Sequence, residues 1–210
     1  MRFVMAHISS SSSGKRLRAI LLILVFYVLP PVAILVNIIP FQYRFPLLMA
    51  LTPVMMLVKP DRETTLADLG ITLRNSHKSI VTIIPLTILL ILPMLVVSLT
   101  ASTPRVDNSS LPVAFYAFYI FISCPFQEFA YRGYLFRLMQ LLSLGKWSRI
   151  LIGAALYSFV HIIYQDVWTL IFTLFAGILW NIHYDKFRNL ASVTFSHIVL
   201  GTITILLGFI

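Results

Sequence analysis

The fourth apolar segment of the sequence contains the densest group of residues that could carry out chemistry. Gln127, Glu128 and Arg132 lie close together in it, and Glu128 and Arg132 are four residues apart. On a helix this spacing places both side chains on one face, where an ion pair lowers the cost of burying them. Such a carboxylate can act as a general base, whereas the pair taken alone is equally well explained as a structural salt bridge.

Two histidines lie inside later apolar segments, His161 in the fifth and His197 in the seventh. A single intramembrane histidine is more often a hydrogen-bonded interior residue than a catalyst. One carboxylate and two imidazoles, however, suffice to activate water and to stabilise an oxyanion, and the same set could ligate zinc. If the apolar segments are membrane spans, as their composition below predicts, the direction and depth of each span place Glu128, His161 and His197 together in the cytoplasmic half of the membrane. His183, beside Asp185 at a span end, needs only an interfacial role.

The elements that position these residues are predicted from composition. Apolar residues make up 59% of the 210 residues and charged residues only 11%, against about 25% charged in soluble domains. We therefore predict an all-α, polytopic transmembrane bundle of about seven spans. The predicted spans are Ala19–Ile39, Phe45–Val58, Ile80–Leu99, Leu111–Phe126 (continuing as helix to about Leu142), Arg149–Tyr164, Trp168–Tyr184 and Leu190–Ile210. Residues 1–18 are predicted to be a flexible cytoplasmic terminus, and residues 19–210 a single membrane domain.

The distribution of basic residues predicts the orientation. Lysines and arginines are concentrated before the first span and in alternate loops, and the net charge is +9. By the positive-inside rule the N-terminus is cytoplasmic. These residues form no stripe with interleaved aromatics, so we expect a lipid bilayer as partner and no nucleic acid. The expected location is a bacterial cytoplasmic membrane, crossed several times.

Two further features bound the interpretation. Cys124 is the only cysteine, which excludes a disulfide within the chain and a multi-cysteine metal site. The longest loop, Lys59–Ser79, contains a stretch from Thr64 to Gly70 that predicts a short capped helix ended by glycine, lying at the cytoplasmic interface.

Three motifs in order along the chain are similar to those of a known family. They are Gln127-Glu128-x-x-x-Arg132, Tyr157-x-x-x-His161 and His197. This set resembles the CAAX-protease and bacteriocin-processing family, also called the Abi family. That family shows Glu-Glu-x-x-x-Arg, then Phe-x-x-x-His, then a second histidine often followed four residues later by Asn or Asp. The match covers mainly Leu111–Gly201, so residues 111–210 are predicted to carry the site.

The resemblance implies a glutamate-dependent intramembrane endopeptidase that acts on a membrane-associated peptide or protein. It implies that Glu128 activates water with help from His161, and that His197 binds the oxyanion. Arg132 would hold the acidic group, and Gln127 would orient water or substrate. No cofactor is expected, and zinc is the less favoured alternative.

Two positions depart from the family pattern. Gln127 stands where the first glutamate is usual, and an amide cannot act as a base near neutral pH. Gly201 stands four residues after His197, so the usual partner is missing, and Asn181 is a candidate substitute. These departures leave open a catalytically inactive member that acts in bacteriocin immunity or as a membrane scaffold. A small transporter is a further alternative. Many transporters are built from two repeats, and no repeat relates the two halves of this chain, which argues against it.

Overall fold

The computed structural model describes residues 2–100 and 106–209, with side chains described from residue 13 onward. Within these residues the protein is helical and has no strand, so the predicted all-α class is confirmed. The helices of the bundle are α1 (Ser13–Leu35, within a helical stretch that begins at Arg2), α2 (Arg44–Leu57), α3 (Ser76–Thr100), α4 (Val113–Leu141), α5 (Lys146–Tyr164), α6 (Val167–Phe187) and α7 (Leu190–Leu206).

Five of these helices, α1, α3, α4, α5 and α6, are long and apolar enough to cross a membrane. The other two are shorter: α7 has 17 residues, and α2 has 14 with Pro53 inside it. At about 1.5 Å per residue, α2 extends only about 21 Å, less than the roughly 30 Å thickness of a hydrocarbon core. The protein is therefore a multi-pass integral membrane protein, and α2 alone is too short to cross the hydrocarbon core.

Two predictions outside the spans have different outcomes. Residues 2–18 are helical and continue into α1, whereas the flexibility and cytoplasmic placement predicted for residues 1–18 stay predictions. The predicted short helix from Thr64 to Gly70 is wrong, because this stretch forms consecutive turns. The backbone N–H and the hydroxyl of Thr65 both donate to the Asp68 carboxylate, at 2.8 and 2.7 Å. Gly70 ends the turns with a left-handed φ of +79°.

Residues 58–75, which we call the cap, bind the ends of the helices that carry the candidate site. The Tyr134 hydroxyl of α4 donates to the carbonyl of Val58 at 2.5 Å, and Arg137 pairs with Asp61 at 2.9 Å. Burial raises the pKa of Asp61, but hydrogen bonds from Thr64 and the charge of Arg137 together hold this pKa below its ordinary value. The cap therefore fixes the C-terminal end of α4 by charged and neutral hydrogen bonds.

The cap also holds the junction between α6 and α7. The side-chain amide of Asn189 donates to the carbonyls of Thr72 and Arg74, at 3.1 and 2.9 Å. The first backbone N–H of α7, at Leu190, donates to the carbonyl of Gly70 at 2.9 Å. A helix begins with unsatisfied N–H groups, so these contacts satisfy the start of α7 and set its position along the bundle.

Helix α4 departs from α-helical geometry on both sides of Glu128. It has π-helical turns at Tyr119–Ser123 and at Phe129–Tyr134. A π-turn adds residues to a turn and therefore rotates the following side chains around the helix, and such turns are frequent at functional sites. The second π-turn begins one residue after Glu128 and contains Arg132, so it sets how these two side chains face each other.

Small polar residues pack α7 against α3. The Ser79 hydroxyl donates to Ser192 at 2.6 Å, and the Thr87 hydroxyl donates to Ser196 at 2.7 Å. Small residues let membrane helices approach closely, and hydrogen bonds between such helices add to their association. Because His197 directly follows Ser196, this contact fixes the position of His197 in the bundle.

Candidate active site

Glu128 lies at the centre of the bundle and has no solvent exposure. Its Oε1 accepts two hydrogen bonds, one from Arg132 Nη1 at 3.1 Å and one from His197 Nδ1 at 2.7 Å. Its Oε2 has no hydrogen-bond partner among the described residues. One carboxylate oxygen is therefore fully engaged, and the other remains an acceptor.

The guanidinium of Arg132 is also completely buried. It lies over the rings of Tyr157 and Trp180, with 4.1 and 5.0 Å between Cζ and the ring centroids. Nε and Nη2 have no hydrogen-bond partner among the described residues. Cation–π contacts and the Glu128 carboxylate together offset the cost of placing this charge inside the membrane.

His197 is held by a stacked ring and a chain of hydrogen bonds. Its imidazole stacks on Trp180, with centroids 5.0 Å apart and planes inclined by 29°. The Trp180 indole N–H donates to Ser196 at 2.9 Å, and Ser196 is bonded to Thr87 of α3. Since Nδ1 donates to Glu128, Nε2 is the ring nitrogen left for another group.

His161 lies in the last turn of α5, where the helix tightens to 3₁₀ geometry over Val160–Tyr164. Its Nδ1 is 2.8 Å from the carbonyl of Tyr157. A carbonyl only accepts, so Nδ1 carries the hydrogen, and Nε2 of the neutral ring is an acceptor. Within α5, His161 lies near the end opposite to Lys146, and the predicted placement of His161 in the cytoplasmic half of the membrane stays a prediction.

A pocket of about 790 Å³, including its solvent-open part, lies between α1, α2, α4 and the end of α5. His161 and Gln127 line it, whereas Glu128 and His197 do not. The Gln127 amide donates to the Ser123 hydroxyl at 2.9 Å. The remaining lining is mainly apolar and aromatic. Neighbouring positions on α4 thus face two environments, Gln127 the pocket and Glu128 the bundle interior.

Tyr157 connects the two parts of the site. Its ring contacts His161 and His197, with centroid distances of 5.0 and 6.1 Å, and the Arg132 guanidinium lies over it. The Glu128–His197 pair and His161 therefore border the same aromatic ring. No role was predicted for Tyr157 or Trp180, although the position of Tyr157 one helical turn before His161 was an available signal.

The structure also shows what lies beside Gly201. A Cβ at Gly201 would overlap the hydroxyl of Tyr119, whose ring is 6.3 Å from that of His197. Tyr119 therefore fills the space next to His197 that a side chain at position 201 would need. Asn181 is buried, and its amide donates to the carbonyl of Ile150 at 2.9 Å, between α5 and α6. Its predicted support of His197 stays a prediction.

Acidic, histidine and cysteine side chains are the usual protein ligands of a metal ion. Across residues 2–100 and 106–209, no three of them form a group that could hold a metal ion. Glu128 and His197 are in direct contact, but their partner Arg132 is a cation that opposes binding of another cation. The expectation that the protein uses no metal stays a prediction.

Comparison with known proteins gives one match. Residues 109–203 match the family model described as type II CAAX prenyl endopeptidase Rce1-like. No curated protein and no solved structure matches the chain. The matched segment contains all three motifs, and the resemblance to the CAAX-protease and bacteriocin-processing family is thereby confirmed.

Proposed function

Because its C-terminal half matches a family of CAAX endopeptidases, we propose that the protein is an intramembrane endopeptidase that cleaves a membrane-associated peptide or protein. The observation that carries the proposal is the fully buried Glu128 carboxylate, which holds Arg132 and His197 on one oxygen and keeps the other free. A purely structural salt bridge does not need a histidine as a third member. Nor does it need an adjoining pocket lined by a second histidine with a free acceptor nitrogen.

The proposed chemistry uses two hydrogen-bond acceptors that have no partner among the described residues, Glu128 Oε2 and His161 Nε2. A water hydrogen-bonded to Glu128 Oε2 and to His161 Nε2 transfers a proton to Glu128 as its oxygen attacks the peptide carbonyl. In its protonated form His197 donates Nε2–H to the oxyanion that develops, while its Nδ1–H remains on Glu128. The proton on Glu128 then passes to the leaving amine, which restores the carboxylate. Arg132 keeps the carboxylate oriented throughout.

The substrate class follows from the family and from the pocket. The matching family is described as one of CAAX prenyl endopeptidases, and the pocket beside His161 has a mainly apolar lining. An apolar lining suits a substrate that is already in the membrane and brings apolar groups with it. We propose the bacterial cytoplasmic membrane as the location, with the cap on the cytoplasmic side.

The test is cleavage by purified protein in liposomes, with quenched fluorescent peptides carrying an apolar anchor as probes. We expect Glu128→Gln, His161→Asn and His197→Asn each to lower kcat by about 10²-fold or more. His183→Asn is the matched control, because His183 is also a buried histidine of the bundle but is bonded to Ser79 and Ser192. Cleavage that survives all three site substitutions would refute the proposal.

A catalytically inactive member is the second candidate, and the amide at Gln127 favours it. Gln127 faces the pocket and donates to Ser123, so it contributes no base there. If the wild-type protein cleaves no probe while Gln127→Glu does, the native protein is an inactive relative that binds its target. If the wild type cleaves and Gln127→Ala only weakens binding of the peptide, the endopeptidase stands and Gln127 orients the substrate.

A further inference from the structure

Helix α1 contains a π-helical turn of its own, at Leu24–Val28. The backbone N–H of Leu29 donates there to a carbonyl five residues back. Pro30 and Pro31 follow at once. A proline has no N–H for the carbonyl four residues earlier, and its ring clashes with that carbonyl, which for Pro31 belongs to Tyr27. The two prolines therefore account for a wide turn in α1, and this turn contains Tyr27.

The Tyr27 side chain joins this turn to the π-turn of α4 at Phe129–Tyr134. Its ring packs edge-on against Tyr131, at 5.3 Å between centroids. Its hydroxyl donates to the carbonyl of Ala130 at 2.6 Å, and both residues are buried. The same carbonyl accepts the N–H of Leu135, five residues later, which is the hydrogen bond that makes the turn wide. A carbonyl oxygen has two lone pairs, so the turn and the hydroxyl each use one.

This contact bears on the buried ion pair, because Glu128 directly precedes the π-turn of α4 and Arg132 lies within it. In an α-helical turn the Ala130 carbonyl would accept the N–H four residues later instead, and the side chains that follow would rotate around the helix. The position of the Arg132 guanidinium therefore depends on which N–H this carbonyl accepts. A buried hydroxyl that loses its acceptor is destabilising, so the Tyr27 hydroxyl favours the wide turn.

We propose that Tyr27 is a positioning residue of the candidate active site, whose hydroxyl holds the π-turn of α4 and thereby the Glu128–Arg132 pair. Tyr27 lies outside residues 109–203, the segment that matches the endopeptidase family, so the match assigns it no role. It also lines the pocket, and contact with a substrate would be a different role, which kinetics distinguish. The effect of Tyr27 on catalysis rests on the proposed function, whereas its effect on the turn does not.

The first experiment observes the turn directly by nuclear magnetic resonance in detergent micelles. Ala130–Tyr131 is the one Ala-Tyr pair in the sequence, and Arg132–Gly133 is the one Arg-Gly pair. Cell-free protein labelled with carbonyl-¹³C alanine and ¹⁵N tyrosine therefore gives a single ¹³C–¹⁵N amide signal, and carbonyl-¹³C arginine with ¹⁵N glycine gives another. We expect Tyr27→Phe to shift the Ala130 carbonyl resonance upfield, because that carbonyl loses a hydrogen-bond donor, and to move the Arg132–Gly133 signal as well.

Tyr184→Phe is the matched control for the labelled proteins. Tyr184 of α6 also has no solvent exposure, and its ring packs edge-on against Phe136, beyond the π-turn of α4. Removing its hydroxyl should leave both amide signals where they are. An unchanged Ala130 resonance in Tyr27→Phe would refute the contact. A moved Ala130 resonance with an unchanged Arg132–Gly133 signal would refute the effect of Tyr27 on the turn.

The second experiment measures peptide cleavage by the same variants in liposomes, well below their melting temperatures. We expect Tyr27→Phe to lower kcat by about three- to tenfold, the factor that corresponds to one buried hydrogen bond, at unchanged KM, and Tyr184→Phe to retain kcat. A raised KM at constant kcat would mean that Tyr27 contacts the substrate, and unchanged kcat and KM would mean that it only stabilises the fold. Either result overturns the positioning role. If the wild type cleaves nothing, the proposed function fails, and the two amide signals still decide whether Tyr27 holds the turn.

Discussion

The ion pair between Glu128 and Arg132 gives the most quantitative test of the site. Both side chains have no solvent exposure and are joined at 3.1 Å. Arg132→Met leaves the Glu128 carboxylate with His197 as its one remaining hydrogen-bond donor among the described residues. Glu128→Gln leaves the guanidinium with an amide oxygen and with the rings of Tyr157 and Trp180. The double variant contains neither buried charge, so it separates the cost of an unpaired charge from the loss of the pair itself.

The expected magnitudes follow from burial. Removing one partner of a buried ion pair costs about 3–5 kcal/mol of unfolding free energy, and we expect this range for Arg132→Met. For Glu128→Gln we expect less, about 1–3 kcal/mol, because cation–π contacts of buried guanidinium groups contribute about 2 kcal/mol. The double variant should be more stable than the sum of the two single changes predicts, by at least about 2 kcal/mol.

The measurement is the unfolding free energy of all four proteins in mixed micelles with increasing dodecyl sulfate. Asp61→Asn in the cap and Arg137→Met in α4 form the matched control cycle, because Arg137 of this 2.9 Å pair keeps 21% of its side chain exposed and the coupling should be smaller than that of the fully buried pair. Additive effects of Glu128→Gln and Arg132→Met within about 0.5 kcal/mol would refute the reasoning. Cleavage should be lost in the double variant although its stability is partly recovered.

Other predictions concern the packing, the cap and metal dependence. Gly133→Ala should destabilise the protein by about 1–3 kcal/mol, because its Cβ would lie 2.8 Å from the backbone oxygen of Leu69. Gly145→Ala is the control and should leave stability unchanged, because no atom lies within 4 Å of a Cβ there. Thermal unfolding in detergent measures both effects. The pKa of Asp61 in the folded protein lies below its ordinary value. The stabilisation by its carboxylate is therefore complete above the ordinary value and is lost as pH falls through the folded pKa. Asp61→Asn should reduce the dependence of the melting temperature on pH in this acidic range. A chelator such as EDTA should leave peptide cleavage unchanged, and full loss with recovery on adding zinc would contradict a metal-free mechanism.

Much of the fold was predictable because membrane spans depend on the length and hydrophobicity of segments along the sequence. Apolar stretches of about 20 residues predict spanning helices, and each helix from α1 to α7 overlaps a predicted span. The contact between Glu128 and Arg132 was predictable because residues four apart share a helix face. The turns in the cap were not, because Asp68 accepts from Thr65 and so satisfies the backbone without a helix, a competition that depends on local geometry.

The position of His161 shows a second limit of the sequence. The span that contains it was predicted with its end at Tyr164, which is also where α5 ends. His161 therefore lies near the end of α5 opposite to Lys146. Its grouping with His197 in one half of the membrane was predicted from span direction and depth, and the half that holds each residue stays a prediction. The ring of Tyr157, one helical turn before His161 on α5, contacts both His161 and His197 and so links the two imidazoles.

The sequence does not predict which of Gln127 and Glu128 faces the pocket and which faces the bundle interior. Adjacent residues on a helix point about 100° apart, and apolar residues flank both, so the sequence does not tell which one faces the pocket. The structure places the amide in the pocket and the carboxylate in the buried pair, and the π-turn after Glu128 brings Arg132 back onto it. In this chain the pocket itself therefore carries no carboxylate opposite His161. Any cleavage must therefore use the Glu128 carboxylate from outside the pocket lining, which makes the reaction depend on the pair with Arg132 and on the Tyr157 ring that contacts both histidines.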